Sequence, residues 1–432
     1  MTNNPEQKKM GLISVLIIIG IWIAYVQQMA PSPLLVTLRD HFNIVNNDAL
    51  LNLSVSIIFP MIIIASILGG MIEHKIGTRN LFVWTMLFVG IGVLINYVAV
   101  NYTIFLIGRA LFGIGFGLGI PFIGSAIMKW YTPKQREMMN TINGLFPFVG
   151  TVVSFGLMVP LYNYFGNSWK QAMGIWGIGI VIVGLLWVLL VKEDDIVVQT
   201  TDDTPEVQEK NIYRNLWKRR DIKLLCITFV CDFFVYSYMA VILPTFLLES
   251  GNMTEAAAGF WAAIAFPAVG IIGGSVGGIA IAKTGKRKPS MALGQIIKII
   301  GTSVAALGSG ISVWFIIVGA AIFGFGNSLW MPGMYTVPME LDQMNPTRVG
   351  AAFALISSCG FVSGFISPII GGWLTNTLMA VSNITDPMLS HSFGLKWSLF
   401  IFGFINLIGF ICISLLQETG PAAQKHPVSE CC

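Results

Sequence analysis

The sequence predicts an all-α membrane protein whose twelve transmembrane helices form two pseudo-symmetric six-helix bundles. Three observations predict it. Of 432 residues, 55% are hydrophobic and only 11% charged, too apolar a balance for a soluble chain of this length. Twelve windows are long enough to cross a hydrocarbon layer, which takes about 20 apolar residues in a helix. A short basic pattern also occurs twice: Gly70, Glu73, His74, Lys75, Gly77 and Arg79 lie between two apolar runs, and Gly278, Ala282, Lys283, Gly285, Lys286 and Arg287 lie between two others, 208 residues later. A repeat at this distance, set in matching apolar segments, is the mark of a duplicated membrane unit.

The duplication shows elsewhere. Pro33 answers Pro244, Gly108, Phe112, Gly113 and Gly115 answer Gly319, Phe323, Gly324 and Gly326, and Pro121 answers Pro332, all 211 residues apart. The apolar windows fall roughly at 12–36, 50–73, 80–100, 103–128, 138–163, 171–191, 223–248, 256–282, 289–309, 312–338, 349–378 and 395–416. No such window covers 192–222, which carries the cluster Lys218, Arg219 and Arg220. The expected organisation is therefore an N-terminal bundle over 1–191, a cytoplasmic linker over 192–222, a C-terminal bundle over 223–420 and a tail over 421–432.

Basic residues set the orientation, because Lys and Arg are retained on the cytoplasmic side. With the N-terminus inside, 20 of the 25 fall on the inner side, Arg39, Lys170 and Lys396 fall outside, and Arg109 and Lys298 lie within spans. Both termini and the linker are thus expected in the cytoplasm, with the chain multi-pass in the cytoplasmic (inner) membrane. No cleavable leader is evident, since the first apolar run is long and lacks a small-residue exit. The six cysteines have no metal-ligand spacing; Cys226, Cys231, Cys359 and Cys412 read as small apolar fillers, and Cys431 and Cys432 as inert. No cofactor, metal or nucleic acid is expected. The partners are the bilayer, a small solute and a coupling ion, and a monomer is expected.

Two glycine-proline stretches stand out, Gly113 to Pro121 and Gly360 to Gly372 with Pro368. Glycines four residues apart allow close helix approach, while proline suits a helix that bends, and moving bundles need both. The Gly113 run is no nucleotide loop, because it lies inside a span with no strand before it.

An ionisable group in hydrocarbon is costly, so each is a functional candidate. Arg109 lies roughly 9 Å from the outer end of the fourth helix, level with Gln28, and Asp232 roughly 14 Å from the inner end of the seventh. Lys298 enters the ninth helix to a similar depth, so Asp232 and Lys298 are candidates for an ion pair and for proton coupling. Arg109 could grip an anion through paired hydrogen bonds, or brace the broken end of the first helix near Pro31 and Pro33. The polar and aromatic set Tyr25, Gln28, Tyr236, Tyr238, Trp261, Asn327, Trp330 and Ser358 completes the candidate binding residues. Aromatic walls with a few placed polar groups suit a small, partly apolar ligand, whereas any single one of these aromatics also suits helix packing.

Twelve spans, a long linker after the sixth and a basic Gly-turn loop after the second and eighth resemble the major facilitator superfamily of secondary transporters over nearly the whole chain. Arg109 within Gly108 to Gly115 is similar to the fourth-helix arginine motif, Trp169 and Lys170 to the start of the sixth helix, and Gln417 to Gly420 to the end of the twelfth. The resemblance tilts Arg109 toward the bracing role. It also implies that the loop residues Gly70, Glu73, Lys75, Gly77, Arg79, Gly278, Lys283, Gly285 and Arg287 govern conformation. The family's usual loop aspartate is replaced by His74 and Ala282, with Glu73 one residue away. The glycine-proline pattern of proton-driven drug exporters is missing from the fifth helix, and something similar appears on the eleventh between Gly364 and Gly372.

The expected function is secondary active transport of a small organic anion, a carboxylate, by alternating access, either proton-coupled or as anion exchange. The alternative is a proton-coupled efflux pump for amphiphilic drugs. An enzyme is disfavoured, because His41, His74, His391 and His426 are all placed in loops or the tail and no carboxylate pair or zinc motif lies in a span. A channel is disfavoured because no ring of charges recurs.

Overall fold

The computed structural model describes residues 5–131, 133–192, 211–251, 253–344 and 346–421. The described residues are helical, with no strands, and twelve helices are long and apolar enough to cross a membrane: Met10–His41, Asp48–Glu73, Thr78–Val98, Tyr102–Ile127, Ile142–Tyr164, Trp169–Leu190, Arg220–Gly251, Glu255–Thr284, Lys288–Gly308, Val313–Glu340, Arg348–Val381 and Pro387–Leu415. They are called spans 1 to 12. Most of the linker, together with His426, Cys431 and Cys432, lies outside the described residues.

Span 12 differs from expectation. It starts at Pro387, because the Asp386 carboxylate caps it by accepting from the Met388 and Leu389 amides at 2.9 and 3.0 Å, and proline at the first turn sacrifices no needed donor. The polar run Ser390, His391, Ser392 masked this start from hydropathy. His391, expected in a loop, therefore stands on a helix.

The chain divides into two compact units, Met1–Val45 with Leu50–Thr204, and Asn46–Ala49 with Pro205–Cys432. In the first, span 3 packs on spans 4 and 6, span 2 on span 4, and span 1 on spans 5 and 6. In the second, span 9 packs on spans 10 and 12, span 8 on span 10, and span 7 on spans 11 and 12. The second unit thus repeats the first helix for helix.

One glycine pair fixes that repeat. A Cβ at Gly92 on span 3 would lie 2.5 Å from the Phe112 amide nitrogen and 2.7 Å from the Gly108 carbonyl oxygen; at Gly301 on span 9 it would lie 2.5 Å from the Phe323 amide nitrogen and 2.7 Å from the Gly319 carbonyl oxygen. In each unit the two backbones touch where no side chain fits. Alanine at Gly92 or Gly301 is expected to cost about 1–3 kcal/mol by overpacking. Alanine at Gly278, where nothing lies within 4 Å, should be neutral. Thermal unfolding of the three variants in detergent checks this.

Three spans are interrupted at or beside a proline, whereas Pro121, Pro147, Pro160, Pro244 and Pro368 lie inside continuous helices. Span 1 is α-helical to Met29, passes through a 3-10 turn at Ser32–Leu34 between Pro31 and Leu35, and resumes to His41. Span 8 contains a π-helical turn, Ile264–Ala268, at Pro267, and span 10 breaks between Leu329 and Met331, just before Pro332. Such breaks are tolerated when neighbouring groups take up the freed backbone atoms. In span 1 that task falls to an arginine.

Candidate functional site

The deepest charges in the second unit meet. Lys298 on span 9 donates to the Asp232 carboxylate on span 7, and the two residues are 0% and 1% exposed. Neither charge is tolerable alone in hydrocarbon, so the helices bury them as a pair. Trp330 on span 10 closes one side: Lys298 Nζ lies 5.4 Å from its ring centroid, within cation–π range, and Phe229 packs 6.0 Å from the same ring. One turn before Lys298, the side-chain amide of Gln295 is fully buried with neither atom hydrogen-bonded, and Asn327 Oδ1 and Asn406 Oδ1 are likewise buried without a donor. Buried polar atoms are nearly always paired in folded proteins, so polar groups without partners beside an ion pair mark a place for polar chemistry.

Arg109 in the first unit is arranged differently. It is fully buried, and its guanidinium donates from Nε to the Ser54 carbonyl at 2.8 Å, from Nη1 to the Gln27 carbonyl at 2.8 Å and from Nη2 to the Gln28 carbonyl at 2.7 Å. Phe112 lies below its Cζ at 5.0 Å. The Gln27 and Gln28 carbonyls are those freed where span 1 stops being α-helical, and Ser54 lies on span 2. The arrangement is that of a brace, and Gln28 reaches Arg109 through its backbone.

The remaining candidates are dispersed. Tyr25 meets Phe116 edge-on at 4.9 Å and stacks on Phe146 at 6.2 Å. Tyr236 packs on Phe233 and Phe266 at 5.4 and 5.5 Å, whereas Tyr238, two residues on, points to another face, where its hydroxyl pairs with Thr375 Oγ1 at 3.0 Å and that hydroxyl with Ser398 at 3.0 Å. Trp261 meets Trp314 edge-on at 5.2 Å, and Ser358 is half-buried on span 11. The structure therefore gathers Asp232, Lys298 and Trp330, with Gln295 as a neighbour that sequence reading passed over. A cleft of about 760 Å³ between spans 3 and 6 is lined mainly by apolar residues, many of them exposed aliphatics such as Leu94 and Ile178, as expected of a surface turned to lipid.

The loop residues make a different set of contacts in each unit. Glu73 accepts from the Thr78 hydroxyl at 2.7 Å and the Ser125 hydroxyl at 2.5 Å, and Arg79 donates to the Val191 carbonyl at 2.7 Å, beyond the end of span 6. In the second unit Arg287 pairs with Glu340 at 2.6 Å, while Glu418 accepts from the Arg287 amide at 2.6 Å and the Lys288 amide at 3.2 Å. The hydrogen bond from Glu340 raises the Arg287 pKa above the usual guanidinium value, so the cation persists throughout the accessible pH range. Gly77 and Gly285 turn each loop with φ of 81° and 64°. Lys75 and Lys283 are exposed, and Gly70 and Gly278 have open space around them.

Sequence reading missed a further cluster. His391 is buried on span 12 with a carboxylate at each ring nitrogen: Glu249 at Nδ1, and Asp48 at Nε2, 2.7 Å away. The signal was a histidine between two serines, one helical turn after a capping aspartate and its proline, which a helical reading would have turned inward.

Comparison with known proteins fits this architecture. A bacterial homologue of the human lysosomal transporter Spinster superposes with a TM-score of 0.79 over 96% of this chain and 98% of that one, at 14% identity. The probable galactarate/D-glucarate transporter GudP of Escherichia coli K12 is 24% identical over 365 residues, covering 73% of this chain and 76% of that protein. The sugar transport protein MST7 of rice (Oryza sativa subsp. japonica) is 30% identical over 146 residues, which is 32% of this chain and only 28% of the rice protein's length. The Major Facilitator Superfamily model matches residues 17–368 and 225–430. With this coverage, and with two units that repeat one packing scheme across twelve membrane helices, the chain is a multi-pass transporter that belongs to the major facilitator superfamily.

Proposed function

We propose that the chain is a secondary carrier for a small organic anion, a carboxylate, working by alternating access in the cytoplasmic membrane with both termini inside. The observation that carries this reading is the buried Asp232–Lys298 pair. When Asp232 takes a proton it gives up the ionic bond, and the Lys298 ammonium becomes a partner for a substrate carboxylate. When the substrate leaves, Asp232 loses its proton and the pair re-forms. Proton and anion then move together, or one anion replaces another. The buried amides of Gln295 and Asn327 supply hydrogen-bonding capacity for hydroxyl groups on the solute, and Trp330 a flat apolar wall. The E. coli relative named for a sugar-diacid substrate supports the same chemical class. In this reading Arg109 keeps the break in span 1 in shape, and Tyr25, Tyr236 and Trp261 are aromatic packing.

The test is counterflow in proteoliposomes with a panel of labelled carboxylates, including D-glucarate, set against lipophilic cations. Exchange of a carboxylate that is abolished in Lys298→Gln is the expected result. Movement of lipophilic cations alone would replace this reading with an amphiphile exporter.

A further inference from the structure

We propose that Asp48, His391 and Glu249 form a second proton-binding site, separate from Asp232, whose proton holds the segment Asn46–Ala49 in place. The proposal extends the transport reading above, but its chemistry stands on hydrogen-bond geometry alone. Both ring nitrogens of His391 face carboxylate oxygens, Nε2 to Asp48 and Nδ1 to Glu249, and the three residues are 5%, 8% and 8% exposed for His391, Asp48 and Glu249. A neutral imidazole has one N–H and one lone pair. It can donate to one ionised carboxylate, and at the other contact a lone pair would meet a lone pair. The observed pair of contacts therefore contains one proton more than a neutral imidazole and two carboxylates supply. That proton makes an imidazolium or a carboxylic acid, and the count is the same in either form.

The polar groups nearby have partners of their own. On span 7 the Tyr238 hydroxyl is engaged with Thr375, and Ser250 pairs with Ser392 at 2.5 Å. On span 12 Asp386 caps its own helix, Ser390 pairs with Ser382 at 3.0 Å, and Lys396 lies 5.6 Å over Trp397. From span 11 the Asn376 amide donates to the Asn46 carbonyl at 3.0 Å. Gly372 on the same helix leaves no room for a Cβ, which would sit 2.4 Å from the Ala49 amide nitrogen. A close backbone approach, one amide bond and the His391–Asp48 contact are thus among the contacts that seat the segment.

Loss of the extra proton removes one of the two imidazole contacts and leaves two carboxylates around a neutral ring in a buried place, which is costly. The cheapest relief is for Asp48 to leave, taking Asn46–Ala49 with it. The site lies at the end of span 7 remote from Arg220, so a proton released there departs on the side opposite the basic loops. Proton on, segment seated; proton off, segment released.

Hydrogen–deuterium exchange of the full-length protein in lipid nanodiscs, followed from neutral to alkaline pH and corrected for the intrinsic exchange rate, tests this without any substrate. Amides at 46–52 are expected to exchange roughly tenfold faster or more as the site loses its proton. In Glu249→Gln the side-chain amide can donate to Nδ1 while Nε2–H donates to Asp48, so no extra proton is needed and slow exchange should persist at every pH. In His391→Gln exchange should be fast at every pH. If His391→Gln fails to fold, Glu249→Gln decides. Exchange at 46–52 that is insensitive to pH in the wild type, or a wild-type pH dependence retained in Glu249→Gln, would overturn the proposal. Failure of carboxylate counterflow would leave it standing.

Discussion

Lys298→Met alone is expected to destabilise the protein by about 3–5 kcal/mol, while the double variant Asp232→Leu with Lys298→Met should lie close to wild type or above it. Removing one member of a buried pair leaves an uncompensated charge, whereas removing both exchanges two desolvated ions for apolar packing. Lys298 and Asp232 are 0% and 1% exposed, so solvent cannot rescue the survivor. The nearest relief would be a proton on Asp232, which predicts that Lys298→Met recovers part of its stability as pH falls. Thermal unfolding in detergent across pH separates these outcomes. A double variant less stable than Lys298→Met would show that the pair itself contributes the stability, contrary to a pair retained for transport.

Arg109→Gln should cost about 3 kcal/mol or more, and Arg109→Lys nearly as much. The carbonyls of Ser54, Gln27 and Gln28 lose the guanidinium donor, Gln27 keeping only a long bond from the Ala30 amide at 3.4 Å, and a buried bond left unmade costs roughly 1–3 kcal/mol. A lysine keeps the charge, but its point-like ammonium cannot span acceptors on two helices as the planar guanidinium does. The comparison is informative because an anion-binding arginine would behave otherwise: lysine there would preserve the fold and weaken only substrate affinity. Unfolding temperatures of the two variants, read beside counterflow, distinguish a brace from a ligand.

The architecture was legible because its physics is one-dimensional. Apolar length, basic asymmetry and an offset of 208 to 211 residues are all properties of the string, and a helix in lipid has few other options. Asp232 and Lys298 were legible for the same reason, since charges in apolar windows need each other. What was hidden depended on direction. Tyr236 and Tyr238 look alike in sequence, yet two residues on a helix place them on different faces, one on Phe233 and Phe266 and the other on Thr375 and Phe402. His391 was read as a loop residue because hydropathy counts Ser390, His391 and Ser392 against a span, although a polar surface that satisfies itself internally is as buried as leucine. The destination of Arg109 was undecided in sequence because a guanidinium suits an anion and a carbonyl cluster equally. The break after Met29, with its freed carbonyls, supplies the carbonyl cluster that the guanidinium meets in this structure.

The measurement that bears most directly on the account is pH-gradient-driven uptake beside counterflow in proteoliposomes carrying Asp232→Asn, with whichever carboxylate the wild type exchanges. Asparagine keeps the size of the side chain and a hydrogen-bond acceptor for Lys298, and removes the negative charge together with the titrating proton. Retained counterflow with loss of gradient-driven accumulation is the predicted result. Accumulation that survives in Asp232→Asn would contradict it, and would move the coupling proton away from the Asp232–Lys298 pair.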